Sequence, residues 1–199
     1  KGYSKKRGYG DLNSLLLEIK KNPKTDYEKI SKKFNMPSIV DWFIIELFFQ
    51  NNDWPCNNTF FWKKRKGNSP WNAVLLDMDA CVGKPEFNMF DYVQRDWSPA
   101  LGGELINYLL KQTEFEMLFT KRVNYLLKNE LSSENLMANF IEFKKIFSPM
   151  VEEHYNRWGY EKGTKKYEKG LRVLEKFCLY RPENFKKNMN QYFKNIFKL

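Results

Sequence analysis

A chain of 199 residues, 42% hydrophobic and 17% aromatic, can bury a sizeable core as a single domain or one large lobe. Its net charge of +10, from 34 basic and 24 acidic residues, would suit nucleic acid, anionic lipid or an acidic substrate, but no nucleic-acid-binding motif accompanies it and no nucleic-acid partner is expected. Three cysteines with no close pair (Cys56, Cys81, Cys178) and a lone His154 argue against a disulfide framework and a zinc cluster. No run approaches the ~20 apolar residues of a membrane span, and Lys1 does not open a signal peptide.

Lys1 to Gly10 is basic and glycine-bearing, so residues 1–10 read as a mobile leading segment, with the folded body spanning residues 11–199. Leu12, Leu15, Leu16 and Ile19 recur at helical spacing until Asn22-Pro23, and Thr25 or Asp26 is placed to cap a second helix reaching Phe34. Pro37 suits the first turn of a third helix running to Phe49, whose nearly unbroken apolar composition predicts the most buried element, with Trp42, Ile45 and Phe49 at its contacts. Glu46 inside that run is costly to bury alone, so either a basic partner fixing the following loop or a place at the rim of the site is expected.

That loop, Gln50 to Asn58, contains Asp53, and strand-like segments at 59–63 and 71–76 follow it. Arg65 to Ser69 joins them, Gly67 and Asn68 being able to take the positive φ of a tight turn. Pairing the two segments would bring Asp53 and Asn58 near Asp77 and Asp79. One carboxylate to orient a hydroxyl, with amide and carboxylate oxygens to hold Mg2+ on phosphates, is the donor set of kinase-type phosphoryl transfer. Clustered Asn, Asp and Pro are also ordinary loop chemistry, and a period-two strand would put Asp77 and Asp79 on one face where a turn after Leu76 would separate them.

Ala80 to Pro99 lacks periodicity and reads as a long loop, either beside the site with Asp91, Arg95 and Asp96 as candidates to touch substrate or as a merely structural crossover. Helical periodicity then predicts segments at Leu101–Gln112, Glu114–Leu127, Ser133–Val151 and Thr164–Leu179. Arg157 and Trp158 fall before the last of these, placed to pair with a core-facing acid and to staple helices. After Arg181-Pro182 a basic amphipathic helix restarts from Phe185 and is expected to dock on the body; membrane contact by this tail is the lesser reading.

Four separated segments, Ser38 to Phe48, Asn51-Asn52-Asp53-Trp54 with Asn58, Leu75-Leu76-Asp77-Met78-Asp79, and Tyr155-Asn156-Arg157-Trp158-Gly159, resemble the spore coat protein H (CotH) family of atypical protein kinases. The resemblance implies a mainly α fold, the helical carboxyl-terminal lobe of a protein-kinase-like architecture, with a small β-hairpin carrying the catalytic and metal loops. It implies Asp53 as the catalytic-loop aspartate, Asn58 and Asp77 as metal ligands with Asp79 as a further one, and Glu46, Arg157 and Trp158 as structural residues near the site. ATP and Mg2+ or another divalent cation would be the cofactors, a protein carrying Ser or Thr the partner, and spore coat, secreted or cell-envelope the location. Leu76 stands where the family usually has Trp, and Met78 where it has an aromatic. The family's amino-terminal lobe would precede Lys1, so the chain by itself is expected to bind ATP weakly. The alternative is a catalytically inactive helical scaffold module for coat or cell-surface assembly.

Overall fold

The computed structural model describes residues 10–65, 67–95, 101–159 and 163–197. Helices dominate, and the named strands form one two-stranded sheet. Residues 1–9 of the leading segment, and Asp96, lie outside the described residues, while Gly10 already opens the first helix. The chain divides into two compact units, the first made of Lys1–Leu47, Asn51–Ala80 and Met89–Arg122, the second of Phe48–Gln50, Cys81–Asn88 and Val123–Leu199.

In the first unit, helix α1 (Gly10–Lys21) buries Leu12, Leu15, Leu16 and Ile19, with Asp11 in its first turn and Lys20 and Lys21 in its last, each favourable to the helix dipole. Asp26 caps α2 (Tyr27–Ser31) by accepting from the Glu28 N–H. This helix stops short of Phe34 because the backbone there is drawn into pairing: Trp71 donates to the Lys33 carbonyl and Asn35 to the Trp71 carbonyl, each at 2.8 Å. Pairing with a distant segment overrides local helical preference. Helix α3 (Met36–Phe49) has Pro37 in its first turn and buries Ile39, Val40, Trp42, Phe43, Ile44, Glu46, Leu47 and Phe48. Ile45 and Phe49 are only partly buried, and Phe49 still keeps its contact role, its ring stacking on Phe177 with centroids 6.0 Å apart. Trp42 meets Phe43, Trp54 and Phe61 edge-on, with ring centroids 5.3–5.5 Å apart.

Strands β1 (Phe60–Trp62) and β2 (Asn72–Val74) pair antiparallel, Phe60 opposite Val74 and Trp62 opposite Asn72, and Gly67 in the connection takes φ +81°. Both are shorter than the sequence suggests, since Asn58 and Asp77 adopt left-handed φ of 58° and 59° and take the chain out of the ladder at the open end. The stretch expected to be one long loop contains helix α4 (Met89–Val93), whose Met89, Phe90 and Val93 are buried. Helices α5 (Leu101–Leu109) and α6 (Thr113–Lys128) follow, and Phe115 on α6 packs on Phe43.

In the second unit, α7 (Ser133–Phe147) is capped by Ser132 and gives way to a 3-10 turn (Ser148–Met150) and then α8 (Val151–Arg157). The sequence suggests one helix here, but Pro149 lacks the N–H that would continue the ladder. The reverse holds at Pro182, where a restart is expected and α9 runs unbroken from Gly163 to Phe197. Proline removes one backbone hydrogen bond there, while burial of Phe177, Cys178, Phe185, Met189, Tyr192 and Phe193 along the helix holds it together. The tail therefore docks as anticipated. No helix among the described residues is long and apolar enough to cross a membrane.

Candidate active site

Helix α3 leads directly into the loop carrying Asp53. Asn51 is fully buried, and its N–H donates to the Glu46 carbonyl at 3.1 Å. Its side chain works in two directions: Oδ1 accepts from the Asp53 N–H at 3.1 Å, and Nδ2 donates to the Asp77 carbonyl at 3.3 Å. Asn52 adds a second tie, its N–H donating to the Ala80 carbonyl at 3.1 Å and its own carbonyl accepting from Tyr92 Oη, on α4, at 2.6 Å. Asn57 donates to the Asp53 carbonyl at 2.8 Å, closing the loop that ends at Asn58.

The hairpin and these ties bring the two acidic loops together. The carboxyl of Asp77, though exposed, is pushed above its ordinary value, chiefly because Asp79 shares a hydrogen bond with it and faces it with like charge, and less because of slight desolvation and the charge of Asp53. Asp53, Asp77 and Asp79 thus lie within electrostatic reach of one another. Asp77 and Asp79 meet even though the strand has already ended, the left-handed turn at Asp77 doing what alternation along a strand would have done.

Asn58 lies at the base of β1, its Nδ2 buried with no hydrogen-bond partner among the described residues. It borders a 460 Å³ cleft with Leu12, Leu16, Pro55, Phe60 and Gly102. Gly102 is needed there, since a Cβ would come within 2.7 Å of Thr59 Cγ2. No group of three or more His, Cys, Asp or Glu able to hold a metal occurs among the described residues. Asn58 lines that cleft, while on the second loop Asp77 and Asp79 face each other. The facing carboxylates fit a Mg2+-like ion, since such an ion uses one or two protein carboxylates rather than a cage.

Glu46 does not make the salt bridge expected of it. It is fully buried, its Oε1 accepts from Trp42 Nε1 at 3.0 Å, and its Oε2 has no partner among the described residues. Burial pushes its pKa up to about 7, opposed by donors from Asn51 and Trp42. A group that ionises this reluctantly can forgo a cation, which is why an indole suffices as its partner. Arg157 and Trp158, in the second unit, depart from expectation too. Trp158 follows the end of α8 with 64% of its surface exposed, and Arg157 is exposed with no ion pair among the described residues. The short α8 ends in a Gly159 turn at φ +67° without burying any residue, so there is no core for an indole to staple.

Sequence reasoning missed the tying roles of Asn51, Asn52 and Tyr92. Asn51 and Asn52 stand beside Asp53 in the recognised motif, but nothing in their spacing reveals which carbonyls they reach.

A helical protein with a short hairpin gathering two acidic loops is the class that fold and site define. Over residues 1–185 the chain matches the family described as CotH kinase protein, and it belongs to that family. No curated protein and no solved structure matches it.

Proposed function

We propose that the protein transfers the γ-phosphoryl group of ATP to a Ser or Thr hydroxyl of a protein substrate, with Asp53 as catalytic group and Asn58 and Asp77 as metal ligands. Family membership makes it kinase-like. The observation that supports the finer reading is the joining of the Asp53 and Asp77 loops, through the Asn51 amide and through the electrostatic coupling of Asp53, Asp77 and Asp79.

In this reading Asp53 orients the substrate hydroxyl and accepts its proton. Asn58 and Asp77 offer oxygens to a divalent cation and Asp79 steadies Asp77, while the cation, when bound, would neutralise charge on the phosphates. Phe60, Trp62, Leu75 and Leu76 beside the site are exposed apolar residues of the hairpin region. Family membership suggests association with the spore coat or the cell envelope.

Transfer of labelled phosphate from ATP to an acceptor protein, measured with and without Mg2+ or Mn2+, tests the proposal. Asp77→Ala should lower the rate by about 10³-fold through lost charge stabilisation while leaving helicity unchanged. Asp53→Ala should lower it by about 10²–10⁴-fold and spare metal–nucleotide binding. Wild-type rates in both variants would remove the assignment. Absence of metal–nucleotide binding as well as transfer would favour the scaffold reading.

A further inference from the structure

We infer that Asn51 is a positioning residue, a buried amide clamp that fixes the separation of the Asp53 loop from the Asp77 loop; the inference rests on the kinase reading for its functional consequence but not for its geometry. An amide group is planar and rigid, so its oxygen and nitrogen lie at a fixed spacing. In Asn51 the oxygen accepts from the Asp53 N–H at 3.1 Å while the nitrogen donates to the Asp77 carbonyl at 3.3 Å and lies 3.7 Å from Met78 Sδ. Both loops are thereby referred to one side chain.

Three further observations make this a clamp rather than an incidental contact. The side chain is fully buried, so water does not compete for either bond. Its own backbone is anchored at the end of α3 by donation to the Glu46 carbonyl. The carbonyl it grips belongs to Asp77, a non-glycine residue held at φ 59°, a conformation that costs energy and persists only when its surroundings hold it. Asn52 reaches the second loop at Ala80 alone, through its N–H and its Nδ2, and Tyr92 Oη holds Asn52 from α4, whereas among the described residues only Asn51 ties Asp53 to Asp77 with one rigid group.

The chemistry of the clamp makes it separable from bulk stability. Asn51→Asp preserves shape and the acceptor for the Asp53 N–H, but an ionised carboxylate cannot donate to the Asp77 carbonyl. A protonated one can. The titratable groups around position 51 are Glu46 on α3, Asp53 on the same loop, Asp77 and Asp79 on the facing loop, and Tyr92 on α4. Asn51→Leu removes both bonds at every pH.

The test measures Mn2+–ATP affinity and phosphoryl transfer of wild type, N51D and N51L at about pH 8, with amide exchange of Asp53 followed in parallel. We expect N51D, which keeps the bond to Asp53 and loses the one to Asp77, to fall about tenfold below wild type, and N51L, which loses both, to fall about a hundredfold. Exchange at the Asp53 amide should rise about tenfold in N51L and stay near wild type in N51D. Variants within twofold of wild type, or equal losses in both, would overturn the clamp. If wild type transfers no phosphate, the kinase reading fails and Mn2+–ATP binding still judges the clamp. If wild type also binds no Mn2+–ATP, Asp53 exchange decides, unequal effects supporting the clamp and equal ones removing it.

Discussion

Among the described residues, each of the two units buries one charged side chain completely, and they do so by opposite means. In the first, Glu46 lies in an apolar helix with an indole as its side-chain donor and one oxygen unpartnered. In the second, Arg181 spreads its guanidinium over three backbone carbonyls, of Phe48 at 2.8 Å, Pro85 at 3.0 Å and Phe87 at 2.8 Å, among the rings of Phe48, Phe177 and Phe185. Burial pulls Arg181 down to about 9, which still leaves it protonated at neutral pH, and Glu46 up to about 7, which leaves it poised. A buried base can keep its charge because carbonyls are abundant and several fit around a planar fork. A buried acid needs donors, and a helix interior has already used its N–H groups. The difference teaches that Arg181 is a fixed staple, whereas Glu46 is adjustable and lies directly beneath the Asp53 loop.

The staple should break most expensively. The Phe48 carbonyl is in the last turn of α3 and has no N–H of its own helix to meet, so Arg181 acts as its cap. Replacing Arg181 with Met leaves these acceptors in an aromatic surround, and urea unfolding should show a loss of about 3–5 kcal/mol. Arg181→Lys should recover less than half, because one ammonium cannot span three carbonyls in a plane. A loss below about 1 kcal/mol for Arg181→Met would mean that water replaces the guanidinium and that the two buried charges are not opposites after all.

Glu46→Gln should act in the other direction, and its sign depends on pH. The folded protein holds the carboxyl at about 7, above its ordinary 4.5, so the fold favours the protonated form. Wild-type stability from this group is therefore full below about 4.5, declines between about 4.5 and 7, and is lowest above. Gln carries no charge to desolvate, so Glu46→Gln should be more stable than wild type by about 2 kcal/mol at pH 8, with the difference vanishing near pH 4.5. Parallel unfolding curves across that range would show instead that Glu46 is adequately solvated by the Asn51 and Trp42 donors.

How far the sequence disclosed all this follows the same division. Periodicity placed α1, α3, α5 and α6, because an apolar face repeating every three to four residues is written in the chain itself. The hairpin followed from two apolar segments and a glycine turn. What stayed hidden depended on partners distant in sequence: Trp71 ending α2 early, Arg181 reaching the loop at 85–87, and Asn51 choosing the Asp77 carbonyl. Glu46 was conspicuous as an acid in an apolar run, yet the chain does not reveal that proton uptake rather than a cation would resolve it. Pro149 and Pro182 carry identical local signals and behave differently, since only Pro182 is held within a helix by buried neighbours on both sides.

The smallest effect expected is at the surface, where charge is neither stapled nor poised. Asp41 on α3 and Arg122 on α6 pair side by side, Nε to Oδ1 at 2.7 Å and Nη2 to Oδ2 at 3.2 Å, with 48% and 39% of their side chains exposed. Two parallel bonds make the geometry favourable, but water and salt screen both charges. A double-mutant cycle with Asp41→Asn and Arg122→Gln should give a coupling of about 0.5–1 kcal/mol at low salt, shrinking towards zero near 1 M as the screening length falls to about 3 Å. Glu46→Gln should keep its advantage at the same salt concentration, because ions do not reach a fully buried carboxyl. If instead the surface coupling exceeded about 2 kcal/mol or withstood salt, exposure would be a poor guide to the energetics of charge in this protein. The contrast drawn between Glu46 and Arg181 would then have to rest on their partners alone, and not on burial.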